Sequence, residues 1–455
     1  MRKTNLKDIP SVDKVLLYLK NSISIHERYL RFLVRKEIDL IREEIKDGNI
    51  EKSSKELLLQ IKNKVFDQAS PSLVNIINGT GIILHTGFGR APFKSKCLKN
   101  IANKLDGYIN LEFNLEKGIR GDRQKHFRQL LSAICDSESS LVVNNNAAAV
   151  MLAISGIAKG GEVIVSRGEL VEIGGSFRIP DIIEASGAIL KEVGATNRTH
   201  LNDYLNAINK NTKLILRVHT SNYVIRGYTK SINLSELVSL GEKNNIPIMV
   251  DWGSGSLLDS DLKNNPMDIP IHEIMKNNPD IVTFSGDKLI GGPQSGVIVG
   301  KAKLINSLQK NILYRTMRCD KLTIGLLEET LRSYRSNSFT NDNLTQKMFG
   351  TSRKTLRMRG RKIIDLLDKN KIVELDISLT PSKVEAGSGS LPENKMDSMA
   401  LVFRPKNITC SELAKNFRTG KIPVVGFIND NKFRIDLKAV LPNQLIKLSK
   451  AINAI

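Results

Sequence analysis

Between residues 139 and 300 the chain alternates apolar runs of strand length with stretches of helical periodicity, and polar residues crowd in directly after the apolar runs. "SSLVVNN" leads into "AAAVMLAISGIA", "GEVIVS" closes on Arg167-Gly168, and "TKLILRVH", "IPIMVDWGSGS" and "DIVTFSGDK" each run out into loop-forming residues. Strand, helix, strand repeated in this way predicts an α/β domain with a mainly parallel sheet, because parallel neighbours need a crossover and the crossover is usually a helix. Ligands of such sheets bind at the carboxyl ends of the strands. Four strand ends carry polar groups here: Asn144, Asn145 and Asn146; His219, Thr220, Ser221 and Asn222; Asp251; and Ser285, Asp287 and Lys288. The topology would bring all four to one rim.

At 455 residues and 41% hydrophobic, the chain exceeds the size at which single cores split, so two or three domains are expected. Residues 1–70 carry three amphipathic stripes, Val12-Val15-Leu16-Leu19 behind a Ser11 cap, Val34-Ile38-Ile41-Ile45 ending before Gly48, and Leu58-Ile61-Val65 before Pro71. They read as a small helical bundle suited to docking, with no catalytic constellation. The α/β pattern takes up 71–334. A polar helix-rich stretch, the glycine segment "VEAGSGSLP" with Gly387, Gly389 and Pro392, and the strand candidates "MALVF" and "FRIDL" mark 335–455 as a smaller α/β domain.

Composition narrows the partners. No apolar run reaches the roughly 18 residues of a spanning helix and the first thirty residues carry no secretory pattern, so no membrane association and a cytoplasmic location are expected. Cys97, Cys135, Cys319 and Cys410 are far apart without a C-x-x-C pair, so reduced thiols and no metal site are expected. A net charge of +21 makes nucleic acid a live, salt-sensitive partner. A Lys-, Asn- and Ile-rich composition without any binding role would produce the same number. Residues 1–70 hold 15 basic and 11 acidic side chains, so the charge is spread along the chain. Local clusters at Lys117, Arg120, Arg123, Lys125 and Arg128, and from Arg353 to Lys362, read equally well as solvated helix faces.

Lys288 stands between a strand-like run and the glycines of "SGDKLIGGPQSGVIVG". At a hairpin tip it would be a solvated ammonium. In a crevice at a strand end it would lose hydration, drop in pKa and become a nucleophile toward a carbonyl, which opens Schiff-base chemistry. Asp251, ending "IPIMVD", would then pair with the pyridinium nitrogen of pyridoxal phosphate, or else be a turn or cap aspartate. A phosphate needs free backbone N–H groups, and the helix start at Asn146 and Ala147 supplies them, although "NNN" alone is more often a turn.

The words "INGTGIILHTGFGRAP", "NNNAAAV", "IVSRGELVEIGGSFRIPD", "VGATNRTH", "VHTSNY", "DWGSGSL" and "SGDKLIGGPQSGVIVG" together resemble the bacterial selenocysteine synthases, the L-seryl-tRNA(Sec) selenium transferases. The likeness is dense from Asn78 to about Lys321 and thins at both ends. It implies an aspartate-aminotransferase-like, fold-type I pyridoxal 5'-phosphate enzyme, with Lys288 carrying the cofactor as an internal aldimine and Asp251 on its ring nitrogen. Asn146, Ala147 and Ser285 would line the cofactor; His219 and His85 would approach its ring or else be satisfied loop histidines, and Asp287 would tune the lysine or else cap a turn. Arg90, Arg315 and Arg318 fall on the family's anion-site positions, where guanidinium forks suit a selenophosphate; each reads otherwise as a structural salt bridge. The implied reaction converts L-seryl-tRNA(Sec) to L-selenocysteinyl-tRNA(Sec) with selenophosphate, through a cofactor-bound aminoacrylyl intermediate. The implied assembly is a homo-oligomer built of dimers, up to ten subunits, and the front helices correspond to a tRNA-docking domain.

Two departures stand out. "HTGFGRA" has Gly87 and Phe88 where relatives commonly read Asn-Leu, which predicts a freer loop, and "FRIDLKAVLP" has Lys438 and Ala439 where Arg-Cys is frequent. Two other functions remain open: a lyase of the same fold acting on a free amino acid or amino sugar phosphate, and a basic nucleic-acid-binding protein without catalysis.

Overall fold

The computed structural model describes residues 4–20, 22–48, 51–173, 177–220, 222–257, 268–336, 339–387 and 395–455. Ser221, Gly389 and Pro392 lie outside the described residues. By contact the chain divides into Met1–Ile76 and Ile77–Ile455. The first unit is three helices, α1 (Val12–Leu19), α2 (Glu27–Lys46) and α3 (Ser54–Ala69). Ser11 caps α1 by accepting the Lys14 N–H, and Gly48, at φ +72°, turns the chain just past α2. The apolar stripes meet in a core of their own, with Val15, Leu19, Val34, Ile38, Ile41, Leu57, Ile61 and Val65 buried.

In the second unit the apolar runs become strands β1 (Ser139–Val143), β2 (Glu162–Ser166), β3 (Ile189–Val193), β4 (Thr212–Val218), β5 (Ile248–Asp251), β6 (Ile281–Ser285) and β7 (Gly296–Gly300). They form one sheet in the order β1-β7-β6-β5-β4-β2-β3. Only β7 runs antiparallel, to both its neighbours. Every residue of β1, β6 and β7 is buried, as expected where helices cover both faces. Helix α4 (Asn146–Ala158), apolar nearly all round, fills the core on one side of the sheet. β3 lay hidden in the sequence, because Lys191 and Glu192 interrupt its apolar pattern on the sheet's edge.

A second, antiparallel sheet follows, of β8 (Ser378–Val384), β9 (Met396–Phe403), β10 (Phe427–Asn429) and β11 (Lys432–Asp436), in the order β8-β9-β11-β10. Ile77 and Asn78 pair in parallel with Val424 and Val425, and Ile77 packs in the core of this small sheet, so the head of the unit is tied to its tail. Among the described residues no helix is long and apolar enough to cross a membrane.

Candidate active site

Lys288 sits three residues beyond β6 in a turn held from several sides. Gly286 N–H donates to Ser295 O (2.8 Å), Gly292 N–H to Gly286 O (2.9 Å), Gly291 N–H to Lys288 O (3.0 Å) and Leu289 N–H to Ser254 O (3.2 Å). The lysine is only 4% exposed. Burial brings its pKa down to about 8, aided by the charge of Arg90 and opposed by Asp251, Asp287 and Asp268. A lysine of this kind is unprotonated in appreciable part near neutral pH and nucleophilic toward an aldehyde.

Asp251 ends β5 and is paired in register with Val218 and Thr283. Its Oδ1 accepts from Asn146 Nδ2 (2.8 Å) and Thr283 Oγ1 (3.2 Å). Burial raises its carboxyl above the ordinary carboxylate range, against the pull of those bonds and of Lys288. A carboxylate so placed gains most from a cationic partner, and a protonated pyridine nitrogen is one. Next along the rim, His219 N–H donates to Asp251 O (2.9 Å), and the imidazole stacks on Trp252 with centroids 3.9 Å apart and planes at 16°. Its Nδ1 has no hydrogen-bond partner, 3.8 Å from Asp268 Oδ2, and burial lowers its pKa so that the ring is neutral at physiological pH.

Asn145 caps α4 by accepting the Ala148 N–H (2.8 Å). That leaves the N–H groups of Asn146 and Ala147 ahead of any acceptor in the helix, where an anion is favoured. The Asn146 side chain turns to Asp251, and its Oδ1 is buried without a partner. Ser285, buried at the end of β6, donates its N–H to Gly253 O (3.3 Å).

The three arginines part company. Arg90, in the left-handed region at φ +58°, lays Nη1 across both oxygens of Asp287 (3.1 and 3.0 Å) and so grips the residue beside the lysine. Arg318 pairs with Glu112 (3.0 Å), which also holds Arg120 (2.8 Å) and Arg123 (2.5 Å). Its Nε is buried without a partner, and the Asn144 N–H bonded to Met317 O (2.9 Å) sets it beside the end of β1. Arg315, on the short helix α5 (Ile312–Thr316), is exposed. The basic cluster from 117 to 128 is thus largely paired internally, with Arg128 on Asp122 (3.2 Å). His85 stacks on Phe88, centroids 3.9 Å apart, so the loop expected to be freer gains a ring contact from its unusual residue. Thr283, Trp252 and Glu112 escaped sequence reasoning. Thr283 shares the face of Ser285 two residues on, and Trp252, the one tryptophan, directly follows Asp251, so both carried a legible signal. Glu112 carried none.

Pyridoxal phosphate fits this donor set: an amine for its aldehyde, a buried carboxylate for its ring nitrogen, a helix start for its phosphate, and unpartnered buried atoms on Asn146 and His219 facing the same rim. A lysine beyond the sixth strand and an aspartate ending the fifth, on a seven-stranded sheet with a single reversed member, define the aspartate-aminotransferase-like, fold-type I class of pyridoxal-phosphate enzymes. Residues 76–441 match the family model described as SelA: L-seryl-tRNA selenium transferase. The L-seryl-tRNA(Sec) selenium transferase of Caldanaerobacter subterraneus is 42% identical over 444 residues, 96% of this chain and 95% of that one. That of Aquifex aeolicus is 39% identical over 451 residues, 99% and 98% of the two chains. Among solved structures, D-glucosaminate-6-phosphate ammonia-lyase superposes with a TM-score of 0.60 over 86% of this chain and 97% of its own, at 16% identity, a likeness of fold. The chain belongs to the L-seryl-tRNA selenium transferase family. The likeness takes in the front helices, where no motif word was legible.

Proposed function

We propose that this chain converts L-seryl-tRNA(Sec) to L-selenocysteinyl-tRNA(Sec) with selenophosphate as donor, Lys288 being both the anchor of the cofactor and the mover of protons. The observation that carries this reading is the buried Lys288, with its lowered pKa beside buried Asp251, in a chain related end to end to selenium transferases. Pyridoxal phosphate, when bound, supplies the electron sink that lets the Cα–H and then the Cβ–O bond of the seryl group break. Asp251 holds the charge opposite the ring nitrogen, and Asn146 and Thr283 hold Asp251. Lys288, its amine once free, would be the base for the Cα proton and would later return it. Arg90 fixes Asp287 next to that amine. The Cβ hydroxyl leaves as water, the selenium of selenophosphate bonds to Cβ, and a water molecule cleaves the Se–P bond to release phosphate, so the net change is exchange of oxygen for selenium at Cβ.

Arg90, Arg315 and Arg318 are the groups we assign to the selenophosphate anion, Arg318 through its unpartnered Nε. Residues 1–70 dock the tRNA, residues 71–334 carry the chemistry and 335–455 form a smaller α/β domain beside them. The working form is a dimer-based homo-oligomer in the cytoplasm. Incubation of the purified protein with seryl-tRNA and selenophosphate, followed by identification of the esterified amino acid, tests the whole reading: selenocysteine is expected, and serine recovered unchanged refutes it. A chain lacking residues 1–70 should keep the cofactor and lose turnover of seryl-tRNA; undiminished turnover would remove the docking role.

A further inference from the structure

The two carbonyls that follow Lys288 are gripped by side chains from another part of the chain. Ile290 O accepts from the Tyr334 hydroxyl (2.8 Å) and from Asn343 Nδ2 (2.8 Å), and Leu289 O accepts from Gln346 Nε2. The Tyr334 phenol is buried, which pushes its pKa up and keeps its hydroxyl a donor. Asn343 and Gln346 are buried polar side chains, at 5% and 3% exposure. Asn343 works from both ends of its amide: the nitrogen holds Ile290 and the oxygen caps helix α6 (Leu344–Phe349) by accepting the Gln346 N–H (3.2 Å).

Glycine makes the approach feasible. Gly291 is at φ +72°, and a Cβ there would lie 2.4 Å from Asn343 Oδ1 and 2.9 Å from Thr345 Cβ. The glycine pair after the lysine, legible in the sequence only as a turn, is therefore also the gap through which the amide reaches the loop.

A buried carbonyl needs one donor to avoid a desolvation penalty, and Ile290 O has two. Two donors on one carbonyl oxygen restrain the tilt of the peptide plane beyond solvating it. Lysine carries its amine on four rotatable bonds, so the amine is only as well placed as the backbone at its root. We propose that Tyr334, Asn343 and Gln346 are positioning residues, a clamp on the Leu289 and Ile290 carbonyls that orients the Lys288 backbone so that its amine meets the cofactor aldehyde and, after release, the Cα proton. The proposal rests on the reading of Lys288 given above.

The test uses cofactor-free full chain mixed with pyridoxal phosphate at several pH values, quenched with borohydride at timed intervals and mapped by peptide mass at position 288. Gln346→Met and Asn343→Ser, the latter keeping a capping oxygen, should slow capture by Lys288 about tenfold and displace its pH midpoint, since small misplacements of a reacting group are costly. Tyr334→Phe, which deletes one hydroxyl and disturbs folding least, should slow it about threefold in the same direction. Ser186→Ala is the control, because its buried hydroxyl serves Ile182 O (2.6 Å) and not the lysine loop. It should lower Tm without moving the pH midpoint. Wild-type capture with unchanged rate and midpoint in all three variants overturns the clamp alone. So does a loss of capture that only tracks Tm as in the control. Absence of modified Lys288 in the wild type removes the clamp together with the reading beneath it.

Discussion

Among the described residues two lysines are buried, one with each sheet, and burial lowers both to a pKa of about 8. Their surroundings differ. Lys438, two residues beyond β11, gives its ammonium to two backbone carbonyls, Phe349 O (3.0 Å) and Thr351 O (2.9 Å). Asp436 beside it is occupied by Ser382 (2.5 Å), Ser398 (2.6 Å) and the Lys438 N–H (2.9 Å). Lys288 instead faces the side-chain charges of Asp251, Asp287, Asp268 and Arg90, at the rim where strand ends converge. A depressed pKa alone therefore does not set Lys288 apart. Its place at the carboxyl end of β6, with the buried carboxylate of Asp251 from the neighbouring strand, does.

The largest effect that would break this contrast lies at position 288. Lys288→Ala should abolish borohydride-stable attachment of the cofactor and all turnover, and residual covalent attachment elsewhere would show the wrong lysine has been chosen. Asp251→Asn should leave attachment in place while turnover drops by about a hundredfold or more, as removal of a preorganised charge opposite a reacting system commonly does; steady-state kinetics with seryl-tRNA reads it. Lys438→Met should leave Lys288 modifiable and cost about 1–3 kcal/mol in denaturant unfolding, because two buried carbonyls lose their donor.

The smallest effect is in the pH dependence. Both lysines have folded pKa values below the ordinary 10.5, so well below pH 8 folded and unfolded chains alike hold the proton and the burial penalty is fully present. Above pH 8 the folded chain releases it first, so the cofactor-free protein should gain stability up to the ordinary lysine range, by at most about 1.4 kcal/mol per pH unit for each lysine. The Lys438→Met chain should lose half of that slope. An equal slope in both proteins would show that Lys438 does not titrate there.

What the sequence revealed follows the same physics. The buried strands of the central sheet are mostly apolar runs, and Asp251 and Lys288 stand out because they end or follow such runs. β3 and β8 escaped notice, being partly exposed edge strands, β8 with Pro381 inside it. The clamp at Tyr334, Asn343 and Gln346 was illegible for another reason: its donors lie 44 to 57 residues from the carbonyls they hold, and nothing in their own neighbourhood marks them. The ion pair of Arg90 with Asp287 spans 197 residues and was equally beyond reach, although each partner had been singled out alone.

The pairing of Ile77 and Asn78 with Val424 and Val425, with Thr80 bridged to Asp436, bears on synthesis. On the ribosome the stretch that leads to Arg90 emerges early and must wait for nearly the whole remaining chain before its strand partner exists. A nascent polypeptide can assemble the seven-stranded sheet well before that. The arginine that braces the lysine is therefore among the last pieces set in place, and a prematurely terminated product would retain the sheet yet lack a finished pocket.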